Sequence, residues 1–161
     1  MTQLNNSIAY GFSKNVVRPI IMDTIKEANP SLKVEEPKST TSVFKPINVV
    51  VKNGKEKKEL SVVIYYGNGV IALSSYNMMY AKNIAFIANS TCYIVDGDAL
   101  RANWQNIMVK TKTYVDGSNI ASEMTYADVN KVIELASEQY SVKESNTNKL
   151  KQKAIEYKIA C

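Results

Sequence analysis

Clustered lysines are the residues of this chain best suited to one simple task, the binding of phosphate groups. Lys110 and Lys112 alternate along the segment 107–115, and the two-residue period of a strand would place both on one face. A second cluster lies in a loop that we expect between two earlier strands, and it includes Lys55, Lys57 and Lys58. If the two clusters converge in space, they form a nucleic-acid-binding surface.

Aromatic residues near these lysines could stack on bases. Tyr114 follows Lys112 on the same segment, and Trp104 and Tyr65 are further candidates. The same lysines also have a simpler interpretation, in which they solvate an edge strand, a loop and a tail helix, and block edge-to-edge aggregation. The sequence leaves both interpretations open.

The chain contains no histidine. This removes the usual general base at neutral pH, the histidine-activated nucleophiles and the commonest metal ligand. A magnesium-dependent nuclease that relies on carboxylates would be the best-fitting enzyme, but we find no convincing carboxylate pair for it. We therefore expect no catalytic residues, no metal and no cofactor.

Composition predicts one globular domain over residues 1–161. The 161 residues are 45% hydrophobic and 22% charged, which is ordinary for a chain with its own core. The net charge of +5 and the pI near 9.1 favour an anionic partner. Two cysteines, no secretory signal and no transmembrane segment indicate a cytoplasmic protein without a membrane partner.

The stretch 60–95 organises the chain, because it is almost entirely apolar and Lys82 is its one charged residue. It begins with a hairpin signal, in which β-branched and aromatic residues flank Gly67-Asn68-Gly69. A near-continuous apolar run predicts strands that are covered on both faces. We expect the hairpin strands at 60–66 and 70–75.

Periodicity and turn signals predict the remaining elements. Strands are expected at 46–52, 91–95 and 107–115, with a charged hairpin loop at 53–59. Helices are expected at 13–28 (starting near Val17 if Pro19 lies in its first turn), at 76–89, at 99–106 and from Thr125 onward. Residues 30–43 are expected to be a mobile surface connection, and 143–161 a Lys-rich helical tail.

The order helix, strand, strand, strand, helix, strand resembles the core of the restriction-endonuclease-like nucleases, the PD-(D/E)XK superfamily. Downstream, YIVDGDALRANW, a strand with lysines, an x-Gly turn and the segment TYADVNKVIELA resemble small phage and plasmid members. The resemblance covers roughly residues 13–136. It implies an α/β (or α+β) fold with a mixed central sheet of about five strands flanked by helices.

The catalytic motif of that superfamily is missing. Its second core strand would be Leu60-Ser61-Val62-Val63, which has no aspartate, and its third would carry Ala72 and Ser74 in place of glutamate and lysine. A relocated metal site built from Glu59 and Glu27 is one alternative. Exposed acids on a loop and a helix explain these two residues more simply.

We therefore expect a non-catalytic nucleic-acid-binding protein, for DNA or RNA, on a degenerate nuclease-like scaffold. The alternative is a protein-interaction or assembly component, of phage type, without a nucleic-acid role. It would use a tyrosine-rich surface and a protein partner bound through the tail 146–159. The sequence leaves the oligomeric state open.

Overall fold

A computed structural model describes residues 6–38, 47–67, 69–112 and 124–159 of the chain. Its first feature is a helical segment made of α1 (Asn6–Phe12), a π-helical turn (Ser13–Val17) and α2 (Arg18–Ala28). Pro19 lies in the first turn of α2, where a missing N–H costs least. The helix expected at 13–28 is thus confirmed, and helical structure begins seven residues earlier, at Asn6.

The described residues contain ten strands. In chain order these are β1 (Lys33–Glu35), β2 (Ile47–Asn53), β3 (Glu56–Val62), β4 (Ile64–Gly67), β5 (Val70–Ser74), β6 (Asn83–Ala88), β7 (Thr91–Asp96), β8 (Met108–Lys112), β9 (Met124–Asp128) and β10 (Ala136–Ser141). The later helices are α3 (Ser75–Met79), α4 (Gly97–Ala102), α5 (Trp104–Ile107), α6 (Val129–Ile133) and α7 (Glu144–Glu156).

The strands form two sheets. The first has the order β1-β2-β3-β6-β7-β10, and it is mixed because β3 and β6 are parallel while the other neighbours are antiparallel. The second has the order β4-β5-β9-β8 and is antiparallel throughout. Val63 separates β3 from β4, and its N–H donates to the carbonyl of Ala85 at 3.0 Å. One extended stretch of chain therefore serves both sheets.

Two hydrophobic cores lie on opposite faces of the first sheet. On one face, α1, α2 and α7 pack on residues such as Val49, Leu60 and Ala85. On the other face, α4 and α6 pack on Ile84, Phe86 and Val95. The second sheet contributes alternate residues to both cores, Ala72 to the first and Ile71 to the second. The expected α/β fold with a mixed central sheet is confirmed, and the second, antiparallel sheet is an addition that the pattern did not indicate.

The helix expected at 76–89 is wrong for most of its length. Only Ser75–Met79 is helical, and Asn83–Ala88 forms β6. This strand lies between the two cores, so that Ala85 and Ile87 face one and Ile84 and Phe86 face the other. A strand buried on both faces shows no alternation, and its apolar residues therefore also fitted a helical period.

Two further boundaries differ from expectation. Much of the charged loop expected at 53–59 is strand, because a tight turn at Gly54 lets Asn53 pair with Glu56. The helix expected from Thr125 begins only after Asp128, whose carboxylate accepts from the N–H groups of Asn130 and Lys131. Thr125 itself lies in β9.

The segment 30–43 and the tail 143–161 both contain regular secondary structure. Lys33–Glu35 forms β1, which pairs with β2, while residues 39–43 lie outside the described ranges. The expected tail helix is confirmed as α7. It lies on its own domain, since Ala154 and Ile159 belong to the helix-covered core.

Candidate nucleic-acid interface

On the face of the first sheet that carries Ile84 and Phe86, most of the residues that β2 and β3 contribute are polar. In β2 and β3, Asn48 pairs with Ser61, and these residues point away from the face that carries Val49 and Leu60. By the same alternation, Glu59 and Lys57 lie on the polar face. This face is open at Lys57 and Glu59, which are both exposed.

A groove of about 390 Å³ lies on this open face. Its floor comes from β2 and β3, and its wall comes from α3 and the loop that follows it. The lining residues are Asn48, Lys57, Lys58, Glu59, Ser61, Tyr76, Tyr80, Ala81, Lys82 and Asn83. Its size suits a small-molecule ligand or a single nucleotide unit.

Two lysines of the groove are exposed and have no carboxylate within ion-pair distance among the described residues. They are Lys57 and Lys82. Lys58 also borders the groove, but its ammonium pairs with Glu138 at 2.5 Å. Lys52 lies on β2 directly opposite Lys57, and its ammonium pairs with Glu35 at 2.6 Å. Within the described residues, the groove therefore offers two lysines that form no ion pair, together with the carboxylate of Glu59.

The groove floor holds a chain of hydrogen bonds. The Ser61 hydroxyl, which is buried, donates to Asn48 Oδ1 at 3.3 Å, and Asn48 Nδ2 donates to the carboxylate of Glu59. A carboxylate only accepts hydrogen bonds. The side-chain NH₂ of Asn48 must therefore face Glu59, and its side-chain oxygen must face Ser61. The network fixes the orientation of the Glu59 carboxylate at the surface of the groove.

Two tyrosines, Tyr76 and Tyr80, form part of the wall above this floor. The rings of Tyr76 and Tyr80 lie 5.5 Å apart, and Tyr80 is 64% exposed. Ser74 caps α3 by accepting from the N–H of Asn77, which fixes the start of this short helix. The exposed ring faces can therefore receive a planar group.

The loop between α3 and β6 is held by α4. Gly97 N donates to Lys82 O at 2.7 Å, and Arg101 Nη1 donates to Ala81 O at 2.8 Å. The contact at Gly97 is so close that a Cβ there would lie 1.9 Å from Ala81 O. Arg101 is itself held by Asp98 at 2.6 Å. The sequence Asp-Gly-Asp at 96–98 thus positions one wall of the groove.

A second polar cluster joins β3 to β10. Partial burial of Glu138 disfavours its charged form, but hydrogen bonds from Lys58 and Tyr140 outweigh this effect and lower the pKa of its carboxyl. Burial, followed by the bond to Glu138, raises the pKa of Tyr140 to about 12. Burial likewise raises the pKa of the nearby Cys92 thiol to about 12, so the thiol stays protonated at neutral pH.

The structure places the lysines predicted from the sequence in different regions. Lys57 and Lys58 line the groove, whereas Lys55 lies in the exposed turn between β2 and β3 and outside the groove. The backbones of Lys110 and Lys112 lie in β8, at the edge of the second sheet. Tyr114 lies outside the described residues.

The other stacking candidates are not part of the groove. Tyr65 and Trp104 pack against the core that contains Phe86 and Val95. The residues that sequence reasoning missed are Tyr76, Tyr80 and Lys82. A signal was present, because Lys82 is the one charge in the apolar stretch and the tyrosines sit beside it, but the helix expected there gave no reason to expose them.

The relocated metal site does not assemble. Glu27 lies on α2, on the helix-covered side, where Lys143 donates to it at 2.7 Å, while Glu59 lies on the opposite face. Across the described ranges, no three Cys, Asp or Glu side chains come together as a metal site. In the same part of the chain, no helix has the length and apolarity needed to cross a bilayer.

No protein-family model, curated protein or solved structure matches this chain. The resemblance to restriction-endonuclease-like nucleases accordingly stays a prediction.

Proposed function

We propose that the protein binds single-stranded nucleic acid in the groove, without cleaving it. The observation that carries this proposal is that one groove brings together Lys57 and Lys82, which form no ion pair in the described ranges, and the exposed tyrosines Tyr76 and Tyr80. Lysines neutralise backbone phosphates, and aromatic rings stack on bases of any sequence. Bases can reach the rings only when they are not paired within a duplex, which favours single strands.

The test is fluorescence anisotropy with labelled single- and double-stranded DNA and RNA, at two salt concentrations, with and without Mg²⁺. We expect salt-sensitive binding that is tighter for single strands, and intact products on a gel. Binding that ignores salt, or no binding at low salt, would contradict the proposal. Cleavage would contradict its non-catalytic part.

Matched variants locate the binding site. Replacing Lys57 and Lys82 together by alanine removes two phosphate contacts, so the slope of log K against log salt should fall by about 1.4. Lys55→Ala is the control, because Lys55 belongs to the same hairpin but lies outside the groove. Tyr80→Ala should weaken binding by about 1–3 kcal/mol, and Met79→Ser, on the same helix outside the groove lining, should not.

A protein partner is the second candidate, and one observation favours it. Three large apolar or aromatic side chains in α3 and at its C-terminal cap are exposed: Tyr76 by 39%, Met79 by 60% and Tyr80 by 64%. Tyrosine and methionine are enriched at protein interfaces. If no nucleic acid binds at low salt, this exposed face of α3 becomes the surface to test.

A further inference from the structure

The floor of the groove carries the negative charge of Glu59, which a site for phosphate alone does not require. Glu59 is exposed, lines the groove and has no lysine or arginine within ion-pair distance in the described ranges. A carboxylate repels phosphate, so the backbone of a bound strand must pass elsewhere, near Lys57 and Lys82. The group that lies over Glu59 must be a hydrogen-bond donor.

The hydrogen-bond network beneath Glu59 prepares it for such a donor. Asn48 occupies one lone pair of one carboxylate oxygen and so holds that oxygen at the groove floor. Each carboxylate oxygen has two lone pairs, so both oxygens can still accept. Because the buried Ser61 hydroxyl holds Asn48 in turn, the carboxylate does not need to be ordered when a ligand binds.

We propose that Glu59 selects guanine among the bases of the bound strand. This inference rests on the proposed function. Guanine presents two adjacent donors, N1–H and the 2-amino group, which match the two oxygens of a carboxylate as a bidentate pair. Adenine and cytosine offer one amino group beside a ring acceptor, and thymine and uracil offer one imino group between two carbonyls that a carboxylate repels.

The tyrosine wall of the groove completes a binding site for one base. The wall and the floor enclose about 390 Å³, and the wall is formed by Tyr76 and Tyr80. A base that stacks on a tyrosine ring directs its edge sideways, and Glu59 lies among the residues that line the same groove. Stacking then supplies affinity for any base, while the carboxylate supplies the discrimination.

The test compares labelled oligothymidine octamers that carry a single central guanine, adenine, cytosine or inosine. We expect the wild-type protein to bind the guanine octamer about tenfold more tightly than the all-thymine octamer, since one good bidentate contact contributes about 1–3 kcal/mol of discrimination. Inosine keeps N1–H but lacks the 2-amino group, so its octamer should bind with intermediate affinity.

Glu59→Gln is the decisive variant, because an amide cannot accept both donors of guanine. We expect it to lose the preference for guanine and to bind all octamers with similar affinity. Glu56→Gln is the matched control, since it removes the same charge from β3 outside the groove lining. It should keep the preference.

The possible outcomes separate this inference from the proposed function. Binding that depends on Lys57 and Lys82 but is equal for all octamers would overturn the inference and leave the proposed function intact. A guanine preference that persists in Glu59→Gln would likewise overturn it. The absence of binding to every octamer would overturn both.

Discussion

At the scale of single residues, Glu138 shows how this protein balances burial against pairing. Its carboxylate receives hydrogen bonds from Lys58 and Tyr140, on β3 and β10. These bonds lower the pKa of Glu138 although partial burial acts in the opposite direction. The folded state therefore favours the ionised carboxylate. The ammonium of Lys58 pairs with this carboxylate on β10 and does not add a free positive charge to the groove.

We predict that Glu138→Gln lowers the free energy of unfolding by about 1 kcal/mol or less at pH 7, because the pair is only partly shielded from water. The pKa of Glu138 is lower in the folded than in the unfolded protein, so its contribution is present above the unfolded-state pKa of about 4.3. It is lost as the pH falls through the folded-state pKa. Urea denaturation at pH 7 and pH 3 measures both values, and the difference between variant and wild type should be smaller at pH 3 than at pH 7.

Glu134→Gln is the control for this comparison. Glu134 is exposed and has no ion-pair partner in the part of the chain that the structure describes. Its substitution should change the unfolding free energy little at either pH. An equal deficit of Glu138→Gln at both pH values would mean that lost packing, and not lost charge, causes the effect.

At the scale of elements, short connections do more to shape the groove than the strands do. The loop after α3 reaches its position because α4 begins directly beneath it, with Gly97 against the Ala81 and Lys82 carbonyls. Only a residue without a side chain permits that approach. The Asp98–Arg101 pair then holds the same loop from the next turn of α4.

Gly97→Ala should destabilise the protein by about 1–3 kcal/mol, as overpacking does, because the new methyl group would meet a backbone carbonyl that cannot rotate away. Gly11→Ala in α1 is the matched substitution. The nearest atom to its new Cβ is Tyr157 Cε2 at 3.6 Å, an ordinary contact. Alanine there should stabilise the helix by about 0.5–1 kcal/mol. Thermal or urea unfolding of both variants makes the comparison, and similar effects of the two would contradict the close packing at Gly97.

The sequence predicted those elements whose pattern depends on a single covered face or a local turn. The pairing of β4 with β5 and the helix containing Pro19 are examples, although the strand expected at 60–66 is divided at Val63 between the two sheets. It did not predict β6, because a strand covered on both faces has no period to detect. The groove depends on that same region, so the error in one element concealed the exposed tyrosines. The exposure of Lys57 needed no tertiary information, whereas the ion pair of Lys58 with Glu138 joins residues that are distant in the sequence and could not be predicted from it.

At the scale of the whole molecule, the tail belongs to the domain. Tyr157 packs edge-on against Phe12 with ring centroids 5.4 Å apart, and Ile159 closes the helix-covered core. Most of its lysines face outward. Any partner of this region would meet the exposed side of α7, since the opposite side is already occupied.

Two isoleucines of this region allow a paired test. Ile159 is 5% exposed and Ile155 is 77% exposed. We predict that Ile159→Ala lowers the free energy of unfolding by about 2–4 kcal/mol, as for other buried isoleucines. Ile155→Ala should change it by no more than about 0.5 kcal/mol. Chemical denaturation measures both, and an equally small effect at Ile159 would mean that the tail does not pack on the core in solution.

The uninterrupted passage of the chain from β3 through Val63 into β4 also constrains the order of folding. The β6–β7 hairpin is local, since its two-residue turn places Asn89 and Ser90 at positive φ. The parallel pairing of β3 with β6 must instead span the β4–β5 hairpin and α3. Neither sheet can then be completed without the other, so the slow step is the closure of this long-range contact. We therefore expect the two sheets to form and melt as one kinetic unit.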